Sequence, residues 1–295
     1  MIVITGATGK IGSKTAAELI AKGKKVKAIG REESKLEALA KKGALIAKGD
    51  MLNADFLTEA FNGAEAVLLL IPPNMQAPDV AAFQKSVGEA QLEALKNAAI
   101  KNIVFISSLG TERSANGSLV AGLADQEKRL NGLPTDVHVI SLRPTGFMEN
   151  LFNQIGAIKY QNAISSILKP ELATGIIAIQ DIAAVAADKL DRLEFKGKTS
   201  LALLGSRDYT QREIAAVIGK AIGKPDLSYV QISFEDQKKS LLQYGASESV
   251  AEAMIKMWEN VNDGLSGVQR TPLNTTPTTL EYFAENVFKQ FFERL

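Results

Sequence analysis

The chain has no cysteine and a single histidine in 295 residues. The first absence removes disulfides, thiolate metal sites and cysteine nucleophiles together. The second leaves no material for a metal site built from several histidines. The one histidine, His138, lies in the strand-like run Val137 to Ile140 and reads as structural. An excess of charge of either sign is also missing: 34 Lys and Arg face 33 Asp and Glu, with no long run of one kind. That balance gives no footprint for nucleic acid or an anionic membrane surface. Long apolar runs are scarce, and Ala66 to Ile71 falls far short of the roughly 20 residues that span a bilayer. A strand pattern beginning at Ile2 leaves no space for a signal peptide. The expectation is a cytoplasmic protein with a small-molecule partner, large enough for a main domain and a smaller lobe, with a homodimer left open.

What is present starts at the first residue. Met1-Ile-Val-Ile-Thr-Gly-Ala-Thr-Gly-Lys-Ile-Gly12 carries an apolar strand directly into three glycines. At this spacing Gly6 allows a tight turn, Gly9 lets the backbone approach a pyrophosphate, and Gly12 lets the next helix pack closely on the sheet. Ile11, Thr15, Leu19 and Ile20 follow at helical spacing, which is the context the motif requires. Phosphates would rest on the helix N-terminus, over Gly6, Thr8, Gly9, Lys10, Ile11 and Gly12. A purely structural turn is the competing reading.

Up to about residue 145, short apolar runs alternate with helical stretches, the pattern of a mostly parallel sheet. Strands are predicted at Ile2 to Thr5, Lys25 to Ile29, Ala44 to Ala47, Ala66 to Ile71, Asn102 to Ile106 and Val137 to Leu142. The clearest helices are Lys10 to Ala21, Pro78 to Asn97 and Leu123 to Leu130. Thr199 to Leu204 reads as a further strand, and Thr210 with Glu213 as a capping box opening a helix that ends near Gly223. In the last segment Leu280, Phe283, Val287, Phe291 and Leu295 form one apolar stripe, read as core packing. The predicted fold is α/β, a Rossmann-type doubly wound parallel sheet over residues 1–148. A smaller C-terminal α/β lobe over 149–295 would return some chain to the main sheet.

The second predicted strand ends Ala28-Ile29-Gly30-Arg31, where a carboxylate would otherwise hold ribose hydroxyls and repel a 2′-phosphate. Arg31 points to NADP(H), since guanidinium pairs with phosphate and stacks on adenine. Glu32 or Glu33, turned inward, would instead select NAD(H). Asp50 and Met51, past the third strand, are placed to meet the adenine edge, with a helix N-cap as the alternative for Asp50.

Several of these pieces together resemble the NmrA-like branch of the extended short-chain dehydrogenase/reductases, in particular its NADPH quinone reductases and azoreductase-like members. The matching segments are Gly6 to Gly12, Gly30-Arg31, Gly49-Asp50, Phe105-Ile-Ser-Ser-Leu-Gly110, Leu142-Arg-Pro-Thr-Gly-Phe-Met-Glu-Asn150, Asp181-Ile-Ala-Ala-Val-Ala-Ala187, Leu204-Gly-Ser-Arg-Asp-Tyr-Thr210 and Pro277-Thr-Thr-Leu-Glu-Tyr-Phe283. The resemblance implies that Ile71 and Pro72 border the cofactor, and that Ser107, Ser108 and Pro144 to Phe147 lie beside the nicotinamide.

One departure matters. Typical reductases of that superfamily carry a tyrosine four residues before a lysine on the helix after the fifth strand. The tyrosine gives a proton and the lysine lowers its pKa. Here Gly117 to Arg129 contains no tyrosine, and aligning Glu127 with the family's helix glutamate puts Leu119 and Leu123 at the pair's positions. A quinone needs no strong protein acid, because its reduced form is a stabilised anion that water protonates. The leading expectation is therefore hydride transfer from NADPH to a quinone or similar flat electrophile, in a pocket walled by Phe147, Met148, Asn150 and Phe152, whose competing role is packing. Candidates for any acid are Ser108 and Tyr160. The rival expectations are a non-catalytic redox sensor of the NmrA type, which the missing pair favours, and a reductase of a specialised metabolite.

Overall fold

A computed structural model describes residues 1–113, 117–264 and 268–294. The first half alternates without interruption: β1 (Ile2–Ile4), α1 (Lys10–Ala21), β2 (Val26–Gly30), α2 (Glu33–Ala40), β3 (Leu45–Lys48), α3 (Ala54–Phe61), β4 (Ala66–Leu70), α4 (Val80–Asn97), β5 (Asn102–Ile106), α5 (Ala121–Asn131) and β6 (His138–Pro144). The predicted ends of α1 and of β5 match the observed ones, and the other elements agree to within about two residues, as frayed ends allow.

The second half is less regular: β7 (Gly146–Phe147), α6 (Ile155–Gln161), β8 (Ala163–Ser166), β9 (Thr174–Ile177), α7 (Ile179–Arg192), β10 (Lys198–Leu203), β11 (Asp208–Tyr209), α8 (Gln211–Ala221), β12 (Ser228–Gln231), α9 (Phe234–Gln243), α10 (Glu248–Asn262), α11 (Leu280–Phe283) and α12 (Lys289–Arg294). The main sheet has the order β10-β6-β5-β4-β1-β2-β3, all parallel, so β10 returns from the second half to extend it beyond β6. Small sheets β11-β9-β7 and β12-β8 belong to the lobe.

Strand alternation sorts the core onto two faces. Ile2, Ile4, Leu68, Val104 and Ile106 point toward α1 and α7, where they meet Ala16, Leu19, Ile182 and Ala186. Val3, Ile29, Leu69, Ile103 and Phe105 point toward α3, α4 and α5, meeting Leu57, Phe61, Ala94 and Leu130. Both faces being covered is why these strands read as continuous apolar runs. His138 takes the structural role expected of it, its Nδ1 accepting the Gly197 N–H at 3.2 Å.

The C-terminal stripe differs from expectation. A π-helical turn over Ala284–Phe288 inserts one residue between α11 and α12, so Phe288 becomes the fully buried position after Phe283, with Val287 and Phe292 both partly buried against the same cluster. Phe291 is 44% exposed, and Leu295 lies outside the described residues.

Candidate active site

In the main sheet the strand order reverses between β1 and β4, and ligands of such sheets bind beyond the carboxyl ends of the strands at that point. The glycine turn sits there. Gly6 has φ +60, a left-handed conformation that other residues rarely adopt. A Cβ on Gly12 would lie 2.4 Å from the Gly6 carbonyl oxygen, so α1 packs onto the turn only because that position has no side chain. Gly9 is the N-cap of α1 and contributes no side-chain cap. Among the described residues no hydrogen bond is drawn from the backbone N–H groups of Lys10, Ile11 or Gly12. Those donors and the positive end of the helix fit a pyrophosphate.

At the end of β2, Arg31 is exposed and forms no salt bridge among the described residues, whereas both neighbouring acids are occupied. Glu32 pairs with Lys35 at 2.8 Å and Glu33 with Lys48 at 2.7 Å. Both acids are thus engaged by lysines while Arg31 is not engaged by a carboxylate, a setting in which its guanidinium suits a phosphate. Thr8 reaches over Gly30 from the glycine turn, with its Cγ2 2.5 Å from where a Cβ would be. Asp50, past β3, accepts the Leu52 N–H at 3.0 Å. It is not the helix cap: Asn53 caps α3, accepting from Phe56. Met51 and Ile71 are half-buried, packing beneath the sheet's α3 and α4 face, and Pro72 follows at the end of β4.

One strand further, Ser107 is 5% exposed and donates its hydroxyl to Glu127 Oε1 at 2.5 Å. Glu127, on α5 and also 5% exposed, takes Arg143 Nε at 2.9 Å and a second guanidinium N–H on its other oxygen. Glu112 lies 3.6 Å from the same guanidinium. The hydrogen bond to Glu127 holds the Arg143 pKa above its ordinary value against the cost of burial. Sequence reading missed this network because Glu127 and Arg143 stand on different elements. Its visible signal was an arginine inside the apolar strand His138–Pro144.

The two candidates for a proton donor are not held as donors to a ligand. Ser108 gives its hydroxyl hydrogen to the Leu109 carbonyl at 3.0 Å. Tyr160 is 89% exposed on α6, in water rather than in a cleft where a positioned acid is effective. Leu119 packs on the cluster of Ala77, Val80, Val250 and Ala253, and its N–H bonds the Ala253 carbonyl at 3.0 Å. Pro144 is buried at the end of β6, and Thr145 beyond it keeps a buried hydroxyl without a partner.

Of the substrate-wall candidates, Phe147 packs partly against the main core and Asn150 is exposed. Phe152 belongs to an aromatic cluster, parallel to Phe288 at 5.7 Å and 4.7 Å from Phe291, with Lys10 Nζ 5.9 Å from its ring centre. Packing therefore accounts for Phe152, although the Lys10 contact ties it to the glycine turn. Glu149 was not foreseen: both its oxygens accept the Ile179 N–H at 3.0 Å, closing the start of α7. A cavity of about 540 Å³ between α4, α5 and α10 contains none of these residues. Among the described residues no group of three or more acids and histidines could hold a metal ion, and no helix is long and apolar enough to cross a membrane.

Comparison with known proteins agrees with this geometry. The chain is 27% identical over 286 residues to an NAD(P)H azoreductase of Xenophilus azovorans, covering 97% of this chain and 96% of that one. It is 27% identical over 259 residues to quinone oxidoreductase 2 of Escherichia coli strain K12, covering 86% and 85%. The solved NADPH complex of an Escherichia coli NADPH-dependent quinone oxidoreductase superposes with a TM-score of 0.80 at 25% identity, over 98% of this chain and 100% of that one. The profile of the NmrA-like family matches residues 1–284, and the chain belongs to that family.

Proposed function

We propose that this protein is an NAD(P)H-dependent oxidoreductase that uses NADPH to reduce a quinone or a similarly flat electrophile. The observation that carries the substrate half is proton accounting at the end of β5. Ser107 donates to Glu127, Ser108 to Leu109, and Thr111 divides its hydrogen between the Ser108 carbonyl at 3.2 Å and Glu127 at 3.3 Å. The free Thr145 hydroxyl has no hydrogen-bonded lysine to lower its pKa. Such an edge suits an acceptor whose reduced form needs no protein proton. The cofactor half rests on the unpaired N–H groups of the glycine turn and on open Arg31. The named activities of the azoreductase and quinone oxidoreductase relatives support the same reading.

In this reading bound NADPH supplies the hydride. The chain holds the pyrophosphate on Lys10, Ile11 and Gly12 N–H groups, and Arg31 takes the 2′-phosphate. The loop from Ser107 to Thr111 and the segment Pro144 to Phe147 fix the reacting ring and keep water from it.

The test is NADPH oxidation by purified protein with naphthoquinone-type acceptors and with aliphatic ketones. Quinones should react faster by roughly a hundredfold or more, the factor a missing general acid removes from ketone reduction. Arg31→Ala should weaken NADPH by about ten- to a hundredfold, the loss of a charge-assisted bond of about 1.5–3 kcal/mol, and leave NADH unchanged. Equal rates on ketones would defeat the substrate assignment. Tight NADPH binding without turnover of either class would put a redox sensor in its place.

A further inference from the structure

The Ser107, Glu127 and Arg143 network has a direction. A serine hydroxyl owns one hydrogen and two lone pairs, and in water it rotates to donate or accept as its neighbour demands. Here Glu127 is a buried carboxylate that takes two guanidinium N–H bonds from Arg143, so it is an acceptor with nothing to donate. The only bond Ser107 Oγ can make with it, at 2.5 Å, spends the serine hydrogen. The backbone fixes the serine too, since its N–H bonds the Leu142 carbonyl at 2.8 Å. Among the described residues nothing donates to Ser107 Oγ, so its lone pairs remain for a ligand and its hydrogen does not.

We propose that Glu127, backed by Arg143, is a positioning residue that holds Ser107 as a hydrogen-bond acceptor for the carboxamide N–H of the nicotinamide. This rests on the reading that the nicotinamide lies at the carboxyl end of β5. At the reacting end of a dinucleotide the carboxamide is the group with N–H to give. A quinone brings only carbonyl lone pairs, which an acceptor-only serine repels. Ser107 thus sorts the two ligands: it anchors the ring that delivers hydride and leaves the acceptor to stack beyond it. Anchoring the carboxamide also fixes which face of the ring is presented, so the network governs stereochemistry as well as affinity.

The test compares binding of NADP+ with its 3-acetylpyridine analogue, in which a methyl group replaces the carboxamide NH2, by calorimetric titration of the full chain. Titration with 2′,5′-ADP monitors the adenosine half separately. Wild type should favour the carboxamide by about tenfold, the worth of one buried hydrogen bond. Ser107→Ala should bring the two dinucleotides level. Glu127→Leu removes the acceptor that takes the serine hydrogen, so Ser107 can donate as well as accept and the ratio should fall there also, with 2′,5′-ADP unaffected in both variants. A purely structural Glu127 would lower all three affinities together and leave the ratio intact, which overturns the proposal. So does a wild type that binds both dinucleotides equally, or a Ser107→Ala protein that still discriminates. If 2′,5′-ADP and NADP+ both fail to bind wild type, the cofactor reading itself has failed, a result distinct from loss of discrimination alone.

Discussion

In residues 1–144 each of β1 to β5 is followed by a helix before the next strand of the same sheet, whereas beyond Thr145 that alternation stops and the strands divide among three sheets. β8 meets β12 with Ala163 opposite Ser228, and β10 returns to lie beside β6. The first region is specified by local chemistry: period-two strands, period-3.6 helices and a glycine turn. The lobe is specified by which distant surfaces fit. Its centre is aromatic, with Phe152, Phe283 and Phe288 packed together, while the glycine turn works through residues that have no side chain at all. A ligand-facing edge built from backbone tolerates little addition, and a lobe built from large side chains tolerates little removal.

The largest expected effect tests the lobe. Phe283 is fully buried against Phe152, with ring centres 5.8 Å apart. Phe283→Ala should lower unfolding free energy by about 3–5 kcal/mol, read from urea denaturation. Titration of the folded variant should give 2′,5′-ADP affinity equal to wild type. Loss of that affinity would mean that the two regions are not separable and would break the comparison.

The next effect tests the turn. Gly12→Ala places a methyl 2.4 Å from a backbone oxygen that cannot swing aside, and overpacking of this kind costs about 1–3 kcal/mol. A Cβ on Gly9 meets only the Gly6 oxygen at 3.3 Å. Gly9→Val should therefore stay folded, with melting close to wild type, yet bind NADPH at least about tenfold more weakly because its side chain occupies the phosphate position. Wild-type NADPH affinity in folded Gly9→Val would remove the turn from the cofactor site.

The same contrast explains what could be read in advance. The strands of the first half and the α1 boundary were legible because each depends on residues within one turn or one strand. The capping box at Thr210 and Glu213 was legible in the lobe for the same reason: its two hydrogen bonds join residues three apart. The π-helical turn was not legible, since a single inserted residue leaves an apolar stripe that still fits a regular helix on paper. Glu127 and Arg143 were each inside conspicuous motifs, but their pairing exists only once β5, α5 and β6 are stacked. The ion pair of Glu33 was equally hidden, because Lys48 comes from the neighbouring strand. Local rules therefore specify the glycine turn, and tertiary contacts build the network around Glu127.

The smallest expected effect lies at the seam. Glu149 belongs to the 3-10 turn Met148–Gln154 that opens the lobe, yet the charges that act on it are Lys10 and Lys14 of α1. Burial raises its pKa above the ordinary 4.5, and the Ile179 N–H and the two lysines lower it by less. A carboxyl whose folded-state pKa is raised holds its proton more tightly when folded. Its contribution to stability is therefore fully present below the unfolded-state value and is lost as pH rises through the folded-state value. Glu149→Gln, which keeps an acceptor for Ile179 but cannot ionise, removes that dependence. Urea unfolding of both proteins from about pH 4 to 7 should show wild type losing stability relative to the variant as pH rises. The opposite slope would mean that Lys10 and Lys14 outweigh burial. In that case the cationic turn of the first region would be holding the lobe in place by charge, and a phosphate bound there would compete with Glu149 for the same lysines.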